Sequence, residues 1–485
     1  MNELLTLSAT ALAAKIRKGD LSSREALEAH IARIEQVNPL INAMVADRFA
    51  AARSEADAVD KRLKGRKPGS RAKLPPLLGV PCTVKECFAL TGMPNASGLV
   101  ARKQVVSQSD ATVVGRLRAA GAIPMGVTNT SELCMWMETD NRLYGRTNNP
   151  YDTQHMVGGS SGGEGSIIAS GASPFGVGSD VGGSIRMPAF FNGVFGHKPT
   201  GGLIPNSGQY PTAHGAALRY LTTGPLARRA EDLWPLINLM RGPDGQDDGC
   251  AEFELGDPAK VDLSKLKVVM VEDNGVTRVS DDLRQSMRRA GAALERAGAQ
   301  VRTARVPALK RSSDIWSSML LEANGATFSE SLGNGKPISF PYQMLLWALR
   351  RSPHTLPAIV LAAIEALPSY IPGHVEKAVR AGHELRRELV ELIGKQGVML
   401  FPSFSRPAPR HYAPMITPFD FVYTAVINVL ELPATQVPLG LNSAGLPLGV
   451  QVVGVHGNDH LTVAAALELE RAMGGWVFPK NLTER

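Results

Sequence analysis

The sequence predicts an α/β protein of one large domain, in which a mixed, mostly parallel and twisted β-sheet is covered on both faces by α-helices. Short apolar runs alternate with amphipathic segments along the chain, which is the pattern of strands connected by helices. The content of 44% hydrophobic and 20% charged residues is that of an ordinary globular enzyme. No linker divides the chain cleanly, so we predict a single domain over residues 1–485.

The individual elements follow from local signals. Ser22 or Ser23 is placed to cap a helix whose buried face carries Leu27, Ile31 and Ile34, at spacings of four and three residues. Further apolar runs and amphipathic segments predict strands at 77–84, 123–128, 266–271, 398–401 and 448–453, and helices at 111–120, 281–297 and 356–367. Because helices separate these strands, the sheet is expected to contain parallel neighbours.

Composition excludes several classes of protein. The chain has 52 basic and 45 acidic residues, a net charge of +7, without the basic stripe and aromatic side chains of a nucleic-acid-binding protein. Its four cysteines contain no CxxC pair and form neither a disulfide framework nor a zinc motif. No apolar run is long enough for a transmembrane helix, and the first residues lack a signal-peptide pattern. We therefore expect a cytoplasmic protein with no nucleic-acid partner.

The most informative segment is the run at residues 158–184, which holds ten glycines and seven serines. Such a composition is typical of flexible linkers. Apolar side chains such as Ile167, Phe175 and Val177 recur through it, however, and a solvated linker has no use for them. Glycines among buried residues indicate backbone that passes close to another group or adopts positive φ. We therefore predict ordered, buried loops here.

Ser184, in Gly182-Gly183-Ser184, is the candidate nucleophile. Two preceding glycines allow consecutive backbone N–H groups to face one point, an arrangement that suits an oxyanion. The surrounding residues match neither GxSxG nor GxxxxGK[ST]. An α/β-hydrolase elbow and a phosphate-binding loop are therefore both disfavoured.

A nucleophilic serine needs a base, and the residues alone leave its identity open. His155, His197 and His214 are near in sequence, although most histidines at such positions are structural. Lys85 follows an apolar strand, and a lysine that its surroundings desolvate can lose its proton. Most lysines at strand ends are structural or exposed, so Lys85 is one candidate among several.

Several segments together resemble the amidase signature family. The run GGSSGGEG…GVGSDVGGSIRMPAFFNGVFGHKPT resembles its signature sequence, and LLGVPCTVKE resembles its lysine-bearing strand. Further likenesses are GAIPMGVTNTSELCMW, YGRTNNPYD and FDFVYTAVINVLELPATQVPLGLNSAGLPLGVQVVG, so that most of residues 1–240 and 395–478 is covered. The segments GGSSGGEG and GSIRMPAFFNGVFGHKP and the closing GGWV are most similar to fatty-acid-amide-hydrolase-like members. The resemblance implies the amidase signature fold.

The resemblance places a serine–serine–lysine triad on Ser184, Ser160 and Lys85. It implies that Ser184 is the nucleophile and that Ser160, which a cis peptide bond holds in the family, relays the proton. Lys85 would be neutral in the resting enzyme, accept the proton as Ser184 attacks, and return it through Ser160 to the leaving amine. An acyl-enzyme would form and be hydrolysed by water, with no metal and no cofactor.

The resemblance also implies supporting residues. Four backbone N–H groups would form the oxyanion hole, those of Val181, Gly182, Gly183 and Ser184. Ser161 would support the relay, while Asp180 and Arg186 would hold the loop from behind.

The family's variable portion falls here at about 240–395. Within it, residues 338–373 are strongly apolar and open to three interpretations, which are core packing, the wall of an acyl-chain pocket and a cap that touches a membrane. Cys134 aligns with a pocket-lining position of fatty-acid-amide-hydrolase-like members and is expected to contact substrate.

The sequence thus predicts a serine hydrolase that cleaves hydrophobic acyl amides or anilides, with esters as additional substrates. One alternative is a carbamate or oligoamide hydrolase on the same triad. The other is the glutaminase subunit of a tRNA-dependent amidotransferase, which the apolar residues 338–373 disfavour because glutamine needs a small charged pocket. The expected partner is a small-molecule amide, and both peripheral membrane contact and a homodimer are compatible with the sequence.

Overall fold

One continuous β-sheet of eleven strands runs through the computed structural model, which describes residues 2–64, 74–323, 327–365 and 370–483. In chain order the strands are β1 Met44–Asp47, β2 Pro81–Lys85, β3 Ile123–Thr128, β4 Phe175–Asp180, β5 Phe195–Lys198, β6 Thr222–Ala227, β7 Lys267–Met270, β8 Gln300–Thr303, β9 Gly397–Phe401, β10 Ala434–Leu441 and β11 Pro447–Gly454. Their order across the sheet is β1-β3-β2-β4-β6-β5-β10-β11-β9-β7-β8.

The helices of the described ranges flank this sheet and pack through two large apolar clusters, one including Phe175 and Leu400, the other Ile31 and Ile167. They are α1 Ala9–Lys18, α2 Ser23–Ile41, α3 Phe49–Leu63, α4 Thr112–Ala119, α5 Gly162–Ala169, α6 Arg186–Phe191, α7 Ala217–Tyr220, α8 Leu233–Met240, α9 Asp281–Arg296, α10 Ser312–Ala323, α11 Phe328–Leu332, α12 Phe340–Ala348, α13 Leu356–Ile364, α14 His374–Ile393, α15 Val422–Val429 and α16 Asp459–Met473. None of them has the length and apolar content that a bilayer crossing demands.

The sheet is mixed, as predicted, although antiparallel pairs outnumber parallel ones, contrary to the expected parallel majority. Six of its ten pairings are antiparallel and four are parallel. The parallel pairs form two groups, β3-β2-β4 and β9-β7-β8. Between them, β10 and β11 form a hairpin, and β5 and β6 pair antiparallel beside it. Glycine and proline interrupt the apolar pattern in β4, β5 and β6, so the sequence signal did not reveal them.

Most predicted elements lie where local signals placed them. The strand predicted at 123–128 coincides with β3. Ser22, rather than Ser23, caps α2 and forms a capping box with Glu25. The strand predicted at 77–84 is shorter, because residues 76–79 form turns before β2. The helix predicted at 356–367 is α13, whose last predicted residues, 366 and 367, lie outside the described ranges.

The two strands that lead to the candidate site residues have their carboxyl-terminal ends next to each other. β2 and β4 are parallel neighbours, with Thr83 opposite Gly176. β2 ends at Lys85 and β4 ends at Asp180. Carboxyl ends of parallel strands are where open α/β sheets bind their ligands. The loop at 181–184 continues from β4 and brings the candidate nucleophile to this edge.

Candidate active site

Lys85 is fully buried at the end of β2, where its amine faces hydroxyl groups. Nζ donates to Ser160 Oγ at 2.6 Å and to Ser179 Oγ at 3.0 Å. Across the described ranges no carboxylate forms an ion pair with this amine. The contact with Ser160 places the amine where a proton could pass between the two side chains.

The turn that carries Ser160 is held tightly. The Gly159–Ser160 peptide bond is cis, as the resemblance implies. Just before it, the Thr139 hydroxyl donates to the Gly158 carbonyl at 2.9 Å. A Cβ at position 159 would lie 2.3 Å from the Trp136 carbonyl oxygen, so only glycine fits there. These contacts fix the hydroxyl of Ser160 against the lysine.

Ser184 faces a pocket and is 6% exposed. Its hydroxyl has no hydrogen-bond partner within the part of the chain that the structure describes. The Ser161 N–H donates to the Ser184 carbonyl at 3.1 Å, which ties the loop that carries Ser184 to the loop that carries Ser160. The structure therefore brings Lys85 and Ser160 into direct contact and places Ser184 next to this loop, without a hydrogen bond between the two serine hydroxyls.

Ser179 is a member of the site that the sequence analysis missed. Its hydroxyl accepts from Lys85 and lies 3.8 Å from Cys87 Sγ. Its carbonyl accepts a hydrogen bond from Ser161 Oγ at 3.2 Å. The available signal was the two-residue period of β4, which puts Ser179 on the same side as Val177.

A buried ion pair holds the nucleophile loop. Arg186 Nη2 lies 3.0 Å from Asp180 Oδ1, and both side chains are fully buried. Asp180 also accepts from the N–H groups of Gly183, at 2.7 Å, and Ile185, at 3.0 Å. Burial by itself raises the pKa of Asp180, but Arg186 and the backbone donors hold it well below its ordinary value. The ionised carboxylate therefore fixes the backbone on both sides of Ser184.

Gly183 departs from the predicted oxyanion hole, because its N–H donates to Asp180. The N–H groups of Val181, Gly182 and Ser184 find no acceptor among the described residues, and all three residues line the pocket. Three of the four predicted donors are therefore available to an anion bound there.

The three candidate histidines are engaged elsewhere or exposed. His197 is buried, and its Nε2 lies 3.1 Å from Asp459 Oδ1. His155 pairs with Asp152 at 3.1 Å, and His214 is exposed on the surface. Of the four candidate bases, the lysine is the one whose side chain contacts a serine of the glycine- and serine-rich run.

An apolar cleft opens at Ser184. Its other lining residues are Cys134, Met135, Trp136, Met137, Val181, Gly182, Met187, Trp316, Leu361 and Phe421. Cys134 thus occupies the pocket-lining position expected of it. A hydrogen bond with Cys87 lowers the pKa of the Cys134 thiol below its ordinary value. The cleft offers an acyl chain a mainly hydrophobic surface.

Residues 132–138, here called the wall segment, form one side of the cleft and are anchored at both ends. Glu132 accepts from His354 Nδ1 at 2.7 Å and from the Thr355 N–H at 2.8 Å, just before α13. Glu138 accepts from His411 Nδ1 at 2.7 Å. The wall segment is therefore tied to two stretches of chain more than two hundred residues away.

The described parts of the apolar stretch 338–373, residues 338–365 and 370–373, do not form one buried core segment. No residue of α12 is buried, and Leu345 and Leu349 are 58% and 56% exposed. α13 packs inward through Ile359, and Leu361 reaches the cleft. The core interpretation is therefore wrong for α12, whereas α13 contributes to the pocket wall.

A buried carboxyl lies beneath the site, on α5. Glu164 accepts hydrogen bonds from Thr83 Oγ1 at 2.6 Å and Thr128 Oγ1 at 2.9 Å. Burial raises its pKa to about 8. This carboxyl joins the helix after Ser160 to the two strands beside it.

The chemistry and the architecture agree with one family. The sequence matches the amidase family over residues 25–463, and the chain belongs to that family and is an amide hydrolase. It is similar to the fatty-acid amide hydrolase 2 of Homo sapiens, with 47% identity over 491 residues, which cover 98% of this chain and 91% of that protein.

Two further likenesses bear on the alternatives. The chain is 30% identical over 475 residues to one of the subunits of the glutamyl-tRNA(Gln) amidotransferase of Solidesulfovibrio magneticus, covering 94% of each. The solved structure of a 6-aminohexanoate cyclic dimer hydrolase superposes with a TM-score of 0.80 at 27% identity, covering 99% of both chains. The fold implied by the resemblance is thereby confirmed.

Replacing Glu164 by Gln is expected to change how stability depends on pH. The carboxyl titrates near 4.5 when exposed and at about 8 in the folded protein. Folding therefore favours the neutral form, and that stabilisation is lost as pH rises from the lower value through the higher one. Urea unfolding at acidic and mildly alkaline pH should show the wild type losing a few kcal/mol relative to Glu164→Gln, at about 1.4 kcal/mol per pH unit. A difference that stays constant between the two conditions would contradict this assignment.

Proposed function

We propose that this enzyme hydrolyses hydrophobic acyl amides or anilides through an acyl-enzyme on Ser184. The observation that carries the proposal is the contact of 2.6 Å between Lys85 Nζ and Ser160 Oγ, buried beside an apolar cleft that opens on Ser184. A buried amine next to a hydroxyl, without a counter-ion, supplies a base for a serine nucleophile.

The proton follows a relay in this proposal. Ser184 Oγ attacks the carbonyl carbon and gives its proton to Ser160 Oγ, whose own proton passes to Lys85 Nζ. The return path delivers a proton through Ser160 to the leaving nitrogen as the C–N bond breaks. Water then attacks the acyl-enzyme by the same route, releasing the acid and restoring Ser184.

The negative charge on the substrate oxygen is stabilised by backbone donors. The free N–H groups of Val181, Gly182 and Ser184 are suited to this role. Removing one such donor from an oxyanion hole typically costs about 10²–10³ in kcat. Gly183 contributes differently, since its bond to Asp180 sets the curvature of the loop.

The substrate class rests on the cleft. Its lining is dominated by methionine, tryptophan, leucine and phenylalanine side chains, which suit an acyl chain. The relative from Homo sapiens is named for fatty-acid amides, which supports the same class. Among the described residues that line the cleft none is charged, which argues against glutamine as substrate. Carbamates and oligoamides would use the same triad, and no contact favours them over acyl amides.

The exposed helix α12 supports a peripheral contact with a lipid surface. Leu345 and Leu349 project apolar side chains into solvent, and Arg350 and Arg351 follow directly. Apolar side chains beside basic ones are typical of helices that lie in a membrane interface. Leu361 of the neighbouring helix reaches the cleft, so a lipid-dissolved substrate would enter nearby. We propose a cytoplasmic enzyme that docks transiently, and its four free cysteines suit that compartment.

The Ser184→Ala variant tests the assignment of the nucleophile. Turnover of acyl p-nitroanilides, from acetyl to dodecanoyl, is expected to fall by about 10⁵-fold or more, while thermal unfolding stays close to that of the wild type. A fluorophosphonate should label the wild type at Ser184 and leave the variant unlabelled. Ser170→Ala is the matched control, because within the described part of the chain the Ser170 hydroxyl bonds only to the Ile167 carbonyl. A wild type that cleaves glutamine but no acyl anilide would overturn the proposed substrate class.

The Lys85→Ala variant tests the relay. Amide cleavage should suffer far more than ester cleavage, because an amine leaves only when protonated whereas an alcohol or phenol leaves more readily. The ratio of kcat/KM for matched amide and ester substrates measures this. Lys198→Met, at another fully buried lysine, is expected to leave the ratio unchanged. An equal loss of kcat/KM on both substrates would contradict the relay assignment.

The Leu345→Ser variant tests membrane contact. Co-sedimentation with phosphatidylcholine vesicles should weaken about fivefold, the effect of losing about 1 kcal/mol of apolar burial. Leu441→Ser is the control, since Leu441 is also exposed but lies at the end of β10, at the opposite edge of the sheet from the site. Equal binding of both variants and the wild type would count against docking through α12.

A further inference from the structure

Trp316 joins the substrate cleft to the loop that holds the free N–H groups. It belongs to α10, within the variable portion of the chain, and its ring lines the cleft. Its indole Nε1 donates a hydrogen bond to the Val181 carbonyl at 2.9 Å. One side chain therefore contacts both the space for the acyl group and the backbone next to the nucleophile.

The bond to Val181 also sets the direction of an N–H group. In a planar trans peptide the carbonyl of one residue and the N–H of the next point in opposite directions. Fixing the Val181 carbonyl toward Trp316 therefore aims the Gly182 N–H to the other side. That N–H is one of the three with no acceptor among the described residues.

The neighbouring peptides of the loop are held by parts of the common fold. The Gly182 carbonyl accepts from Thr424 Oγ1 at 2.9 Å, and the Gly183 carbonyl accepts from the Met187 N–H at 2.7 Å. Three consecutive carbonyls thus each have a fixed donor. The donor to Val181 differs from the other two because it is an aromatic side chain that substrate itself would touch.

The indole ring is placed so that a molecule bound in the cleft would contact it. A Cβ at position 182 would lie 3.4 Å from the Trp316 ring, so the ring packs directly on this glycine. The ring also meets Phe421 edge-on, with centroids 5.0 Å apart. Trp316 is only partly buried, and it lines the cleft.

We infer that Trp316 is a positioning residue through which acyl-chain binding aligns the Gly182 N–H for oxyanion stabilisation. The inference rests on the proposed function. An acyl chain packed against the indole holds the ring in place, and the ring holds the Val181–Gly182 peptide. Binding energy from the chain is then expressed in the transition state, so long acyl groups raise kcat rather than only lowering KM.

The Trp316→Phe variant separates this role from that of a simple pocket wall. Phenylalanine keeps an aromatic ring in the cleft and removes the N–H donor. With dodecanoyl p-nitroanilide we expect kcat to fall about tenfold or more with KM nearly unchanged, since a misaligned donor forfeits part of its 10²–10³ effect. With acetyl p-nitroanilide the loss should be much smaller, so the preference for long chains in kcat collapses.

Two controls keep the result interpretable. Phe421→Leu alters the cleft beside the indole but leaves its N–H bond, and should raise KM for long chains with a smaller effect on kcat. Benzothienylalanine at position 316 keeps the indole shape without the N–H and should reproduce the kcat loss even if Trp316→Phe folds poorly. A rise in KM with unchanged kcat in both position-316 variants overturns the inference. A wild type inactive on every acyl anilide overturns the proposed function instead.

Discussion

The buried ion pair between Asp180 and Arg186 is the interaction on which the catalytic edge depends. It spans the reversal from the end of β4 to the start of α6, where the nucleophile loop lies. Arg186 also donates to Gln451 Oε1 at 2.8 Å and to Asn428 Oδ1 at 2.5 Å, which connects the loop to β11 and α15. Breaking such a buried pair from one side typically costs about 3–5 kcal/mol, because a charge remains without compensation. These contacts therefore hold the loop in one conformation, which fixes the direction of its N–H groups.

Local sequence signals single out Ser184 as the proposed nucleophile, but they leave its proposed base open between Lys85 and three histidines. The glycines before Ser184 have a local meaning, since they permit N–H groups to converge, and the apolar residues around them exclude a linker. Lys85 has no local mark, because its value comes from burial beside Ser160, a residue 75 positions away. The family resemblance supplied it. For Gly183 the sequence context was misleading, because it suggests an N–H group that is free to face an oxyanion. In the folded chain this N–H donates to Asp180.

The architecture was predictable where a strand or helix carried its own pattern. β9 and α9 have clear apolar patterns and lie where predicted, whereas glycine and proline hid β4, β5 and β6. Residues 338–373 illustrate a different difficulty, because an apolar helix has the same sequence pattern whether it packs in a core or faces solvent. Only the surroundings show that Leu345 is exposed while Ile359, on the next helix, is buried.

The two anchored ends of the wall segment set a rule for exchanging parts between such enzymes. Glu132 and Glu138 belong to the wall segment beside Ser184, yet the groups they hold, His354 and His411, lie more than two hundred residues further along the chain. A chimaera that imports a foreign segment around α13 without a donor at position 354 or 355 would leave the buried carboxylate of Glu132 without hydrogen-bond donors from that segment. The wall segment would then lose one of its two anchors. Exchanging cleft residues between such enzymes should therefore transfer the substrate range only if the residues that anchor the wall segment are exchanged as well.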